Sequence, residues 1–116
     1  IVYISFPATG CFKFTAQKDI KAFPEGARRK AGHELMAVQM GMDPIDWKPM
    51  PSIGAGVKEL KIHENGEFRV VFIAKFPEAV YVLHAFQKKT QKTPKKDIAL
   101  AQQRLKQLEL ERRHLS

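Results

Sequence analysis

The chain has 116 residues, 44% of them hydrophobic, which suits one domain with one core and argues against disorder along its length. Cys11 is the only cysteine, so neither an intrachain disulfide nor a cysteine-built zinc site can form, and a reducing, cytoplasmic setting is expected. The net charge is +8, with +2 in residues 1–57 and +6 in residues 58–116, an asymmetry that points to a polyanionic partner, either nucleic acid or an acidic protein surface. Residues 1–6 are apolar but lack a basic lead-in and are too short for a signal peptide, and no run reaches the roughly 18–20 residues of a membrane span. No membrane association is expected.

In chain order, Phe12-Lys13-Phe14-Thr15 alternates as a short strand does, and residues 17–23 form a charged helical stretch. Pro24 suits a first helical turn and opens a second helix, along which Ala27, Ala31, Leu35, Val38 and Met42 form one apolar stripe until Gly41 and Pro44 end it. Residues 43–56 hold Pro44, Pro49, Pro51, Gly54 and Gly56 and read as a loop. The period then changes to two. Val57 to His63 is a strand, Glu64-Asn65-Gly66-Glu67 is a hairpin turn, and residues 68–74 are apolar on both faces, as in a central strand. A turn at Phe76-Pro77-Glu78 leads to a strand over residues 79–86. Thr93-Pro94 starts the last helix with a hydroxyl cap and a first-turn proline, its stripe being Ile98, Ala101, Leu105 and Leu108. That stripe suits packing on the chain's own sheet better than direct contact with a partner. The expected class is α+β, a small antiparallel sheet in the order β-α-α-β-β-β-α.

Three features carry chemistry. The first is the lysine-rich segment after the last strand, where Lys88, Lys89, Lys92, Lys95 and Lys96 occur with no acid between Phe86 and Lys96. Such a cluster attracts a phosphate backbone, or serves as a solvated loop. The second is Arg69, a lone charge in an apolar strand, which calls for a bridge to Glu59 on the neighbouring strand or for an anion-binding cleft over the sheet. Lys61 lies on the other arm of the same hairpin, and Lys58 precedes it on that arm. The third is His84, which ends an apolar strand beside the lysines and can exchange a proton near neutral pH. His33 and His114 read as surface residues and His63 as a neighbour of the turn. No pair of histidines has metal-ligand spacing, Gly54-Ala55-Gly56 lacks the rest of a phosphate-loop or dinucleotide fingerprint, and no metal or other cofactor is expected.

Residues 56–61 (GVKELK), 66–72 (GEFRVVF) and above all 82–94 (VLHAFQKKTQKTP) resemble the phage-derived Gp49-like, or HigB-like, branch of the RelE/ParE toxin superfamily. The resemblance covers about residues 12–108, so residues 1–11 are expected to be a terminal extension and 12–116 a single toxin domain. It implies a RelE-like sheet with two N-terminal helices and a C-terminal helix. It also implies a helix-turn-helix antitoxin that covers the basic face, with operator DNA reached only through that complex. Many superfamily members cleave mRNA in the ribosomal A site without a metal, by attack of the 2′-hydroxyl on the adjacent phosphate; the ParE branch inhibits gyrase instead.

Carried over by position, the resemblance makes Lys61 a charge- or proton-transfer group, Arg69 the contact to the scissile phosphate and Lys88 a further phosphate contact. Lys58, Lys89, Lys92, Lys95 and Lys96 would bind RNA around them. Two departures stand out. Glu59 occupies a position that is basic in RelE, and no tyrosine follows Tyr81 to match the late catalytic one. His84, Glu59 and Lys61 are then the candidates for proton transfer. An mRNA endoribonuclease is the first reading. A non-catalytic binding toxin acting on gyrase, or a co-repressor subunit, is the second.

Overall fold

In the computed structural model, which describes residues 2–3 and 14–115, the chain builds a five-stranded antiparallel sheet between two helical layers. The elements are β1 (Val2–Tyr3), α1 (Phe14–Lys21), α2 (Glu25–Gln39), β2 (Trp47–Pro49), β3 (Val57–His63), β4 (Glu67–Ile73), β5 (Tyr81–Gln87) and α3 (Lys95–Leu115). The strand order is β1-β5-β4-β3-β2. This is the α+β arrangement expected from the RelE-like resemblance. Among the described residues no helix is long and apolar enough to cross a membrane.

The sheet is apolar on both faces, so both faces need covering. On one side Phe23 and the α2 stripe of Ala27, Ala31, Leu35 and Val38 pack on Leu60, Ile62, Phe68, Val70, Phe72 and Val82. On the other, Ala101, Leu105 and Leu108 of α3 pack with Ile98 on Val57, Val71, Ile73 and Leu83. The last helix therefore spends its stripe on its own sheet. In the β3–β4 hairpin Asn65 and Gly66 have φ of 51° and 139°, the positive values that this dipeptide tolerates.

Four local expectations are corrected. Phe14 and Thr15 begin α1 rather than ending a strand, because a four-residue alternation carries too few side chains to outweigh the helical pattern behind it; Phe12 and Lys13 lie outside the described residues. Met42 falls beyond the end of α2 and is exposed, since Gly41, at φ 89°, has already turned the chain away. Within the proline-rich segment Trp47–Pro49 forms an edge strand, a place where proline is tolerated because its missing N–H is not needed by a further strand. The Thr93 hydroxyl does not cap α3. It donates to Glu59 Oε2 at 2.9 Å, 34 residues away, because a fully buried carboxylate needs donors more than a helix end open to water does.

The far part of α3 is tied to the β4–β5 connection by a fork of two bonds. Arg112 Nε donates to Glu78 Oε2 at 2.7 Å and its NH2 to Oε1 at 2.9 Å, while the Tyr81 hydroxyl adds a third donor at 2.9 Å. Arg112 first, with help from Tyr81, holds the Glu78 carboxyl down at about 2 against a usual 4.5. A pKa lowered by folding gives stability that is complete above pH 4.5 and lost as pH falls toward 2. Because about a third of each side chain is open to solvent, Glu78→Gln should cost only about 1 kcal/mol at neutral pH. Denaturant titrations between pH 2 and 5 should show a flatter acid limb for the variant; parallel limbs would contradict this.

Candidate nucleic-acid interface

Alternation along the strands sorts the polar residues. On β3, Glu59 and Lys61 share with Val57 the face that α3 covers, and Arg69 on β4 is the register partner of Lys61. On β5 the register slips: Val71 pairs with His84 and Phe72 with Val82, so Leu83 is an extra residue. This bulge turns the second half of β5 over, bringing Phe86 opposite Arg69 on the α3 face. Helix α3 packs on the end of that face nearest Val57, Ile73 and Leu83. Toward the Asn65-Gly66 hairpin and Lys88 the face carries Glu59, Lys61, Arg69 and Lys88 instead.

Here an open cleft of about 600 Å³ is lined by Glu67, Arg69, Lys88, Lys89, Thr90 and Gln91. Arg69, at 5% exposure, forms part of its lining. Its NH1 donates to the Phe68 carbonyl at 2.9 Å and its NH2 to Glu67 Oε1 at 3.1 Å, while Nε faces Glu59 Oε1 at 3.6 Å. The expected Arg69–Glu59 bridge is therefore present, and the cleft is present with it. Nε of Arg69 and Oε1 of Glu59 are buried without a hydrogen bond, so this contact is electrostatic, and the remaining Glu59 oxygen accepts from Thr93. Glu59 thereby fixes the guanidinium and ties the segment leading into α3 to the sheet.

Lys88 sits half-buried at the rim, its backbone N–H bonded to the Glu67 carbonyl at 2.7 Å. Its ammonium is held below the usual lysine value, first by burial and then by repulsion from Arg69, Lys48 and Lys61, with Glu59 opposing. Lys61 is half-buried beside these groups. Lys89 lines the cleft, and Lys92, Lys95 and Lys96 are exposed along the loop and the first helical turn. Lys95 and Lys96 oppose the helix dipole at this N-terminus and add to the positive field there, offset in part by Asp97 in the same turn. Lys58 lies on the opposite face, 4.4 Å over the Trp47 ring and 3.3 Å from Asp43.

His84 is not brought to the cleft. Its Nε2 is 2.7 Å from Asp97 Oδ1, and its Nδ1 faces Arg104 NH1 at 3.3 Å and Asp19 Oδ2 at 3.4 Å. Its ring stacks on Phe86 with centroids 5.1 Å apart, fastening α3 and α1 to β5. We expect His84→Gln to lose about 1–3 kcal/mol, the cost of leaving the half-buried Asp97 without its partner. RNA affinity per folded molecule should be unchanged, as checked by unfolding curves alongside RNA titrations. A stable variant with lost affinity would put His84 in the site.

Three contributors were not singled out from sequence. Lys48 on β2 approaches Glu59 Oε1 at 3.7 Å. Glu67 is shared between Arg69 and His63, and the His63 ring is clasped by Asp46 at 2.6 Å and Glu67 at 2.7 Å. Those hydrogen bonds, Asp46 first, raise the His63 pKa above its usual value and lower those of both carboxyls. Only the Asn-Gly turn signalled that His63 and Glu67 would face each other.

The arrangement can hold an anion: guanidinium and ammonium groups converge on an open cleft with one buried carboxylate beneath them. A comparison with curated proteins gives no match. The family model described as phage derived protein Gp49-like matches residues 18–106. That span takes in α2, strands β2 to β5, the first half of α3 and the whole cleft, and the chain therefore belongs to the phage-derived Gp49-like family.

Proposed function

We propose that this protein is the toxin of a toxin–antitoxin pair and cleaves mRNA on the ribosome. The observation that carries the reading is the grouping of Arg69 and Lys88 in the lining of one open cleft, with Lys61 beside them and Glu59 buried behind. Phosphodiester cleavage places negative charge on the non-bridging oxygens in the transition state, and fixed cations bind that charge better than the ground state. The RNA 2′-oxygen forms a bond to phosphorus as the bond to the 5′-oxygen breaks. The 2′-hydroxyl proton passes to solvent and Lys88, which releases its proton more readily than an ordinary lysine, protonates the leaving 5′-oxygen. The products are a 2′,3′-cyclic phosphate and a 5′-hydroxyl. Arg69 and Lys61 hold the phosphate; Glu59, wholly buried, positions Arg69.

Lys89, Lys92, Lys95 and Lys96 extend the binding surface along the RNA, with a contribution that falls steeply with salt. A helix-turn-helix antitoxin encoded alongside neutralises this face and carries the complex to operator DNA, in the cytoplasm. The test is translation of a defined mRNA by purified components, followed by primer extension. The toxin reading expects breaks at codons in the ribosomal A site, absent without translating ribosomes. Intact mRNA together with arrested growth would favour a binding toxin acting on a protein such as gyrase.

A further inference from the structure

We infer that Lys48, on edge strand β2, is a phosphate-contacting residue of this site, oriented by Glu59. The inference rests on the RNA-cleaving reading above. Lys48 is the register partner of Glu59, so both side chains lie on the face that carries Lys61 and Arg69. Its ammonium is 3.7 Å from Glu59 Oε1, the same oxygen that Arg69 Nε approaches at 3.6 Å. One carboxylate thus spaces two cations.

Their exposures differ in a way that assigns their tasks. The side chain of Glu59 is 0% exposed and that of Arg69 6%, whereas that of Lys48 is 41% exposed. Lys48 is therefore oriented by Glu59 and still open to a ligand from solution. The charge balance points the same way: Lys48, Lys61, Arg69 and Lys88 surround one buried carboxylate, and Glu67 is already divided between Arg69 and His63. The cations repel one another, and that repulsion adds to burial, the larger cause, in lowering the Lys88 pKa. An incoming phosphate relieves that repulsion, and a second phosphate of the same strand fits the β2 side of the one that Arg69 holds.

The probe is a short single-stranded RNA with a 2′-deoxy nucleotide at the cleaved position, titrated against the full chain at several salt concentrations. Lys48→Ala should weaken binding and reduce the slope of log affinity against log salt by about 0.7, the value for one single-strand phosphate contact. Lys48→Arg should restore both, and Lys58→Ala, beside it on the opposite face, should change the slope less. Thermal melts establish that each variant is folded. Lys48→Gln serves if Lys48→Ala unfolds: a slope reduced by the same amount is then expected, and an unchanged one overturns the inference. An unchanged slope in folded Lys48→Ala, with Arg69 variants still impaired, overturns the role of Lys48 and leaves the RNA reading intact. Absence of salt-dependent RNA binding by the wild type overturns both.

Discussion

Arg69→Ala should lower the rate of mRNA cleavage on the order of 10²–10³-fold, the scale for removing one preorganised donor from a developing oxyanion. The same change should also destabilise the fold, because it removes one of the two ion-pair partners of the fully buried Glu59 and leaves it Lys48 at 3.7 Å and the Thr93 hydroxyl. Breaking a buried ion pair on one side costs about 3–5 kcal/mol. The two losses separate in the double variant Arg69→Ala/Glu59→Gln. Removing the buried charge should return part of the stability, while activity should stay as low as in the single variant, because no donor has been restored. Unfolding curves and cleavage rates measured on the same preparations check this. A double variant that recovers both would make Arg69 a structural residue alone and move the reactive phosphate elsewhere.

Phe72→Ala should remove about 3–5 kcal/mol, the usual loss for emptying an aromatic site in a core. Phe72 has no exposed surface and stands on β4 at the centre of the sheet, with Lys58 and Val82 as register partners. Its ring is part of the layer on which α2 packs, so the cavity would open between sheet and helix, where neither can collapse far. Against a typical total of about 5–15 kcal/mol this is a large share. Lys106→Ala, on the exposed side of α3, should stay within about 0.5 kcal/mol of wild type. A Phe72→Ala loss below about 1 kcal/mol in denaturant unfolding would contradict the packing described for this layer.

The sheet was legible where one period runs unbroken. Val57–His63 is a strand over the expected residues, the Asn65-Gly66 turn joins it to β4, and Ile98, Ala101, Leu105 and Leu108 pack on the sheet as their spacing implies. Arg69 and Glu59 could be paired in advance because a charge in an apolar strand needs a neighbour of opposite sign. The rest depended on events that spacing does not encode. The extra Leu83 reverses the facing of everything after it on β5, which is why Phe86, rather than Ala85, stands opposite Arg69. Lys48 lies in a segment whose prolines mask a three-residue edge strand. Thr93 reaches Glu59 across 34 residues, a contact that only the closed sheet creates. The edge pairing of Val2 with Val82 and Tyr3 with Tyr81 gave no local signal either, since two residues carry no period.

Most directly, the chemistry of the cut ends decides whether the cleft centred on Arg69 does the work assigned to it. mRNA recovered from translating ribosomes exposed to the wild-type protein should carry 2′,3′-cyclic phosphate and 5′-hydroxyl termini at A-site codons. A 2′-deoxy substitution at the cleaved nucleotide should abolish the cut. Fragments ending in 3′-hydroxyl and 5′-phosphate, or cleavage that persists without the 2′-hydroxyl, would contradict the account.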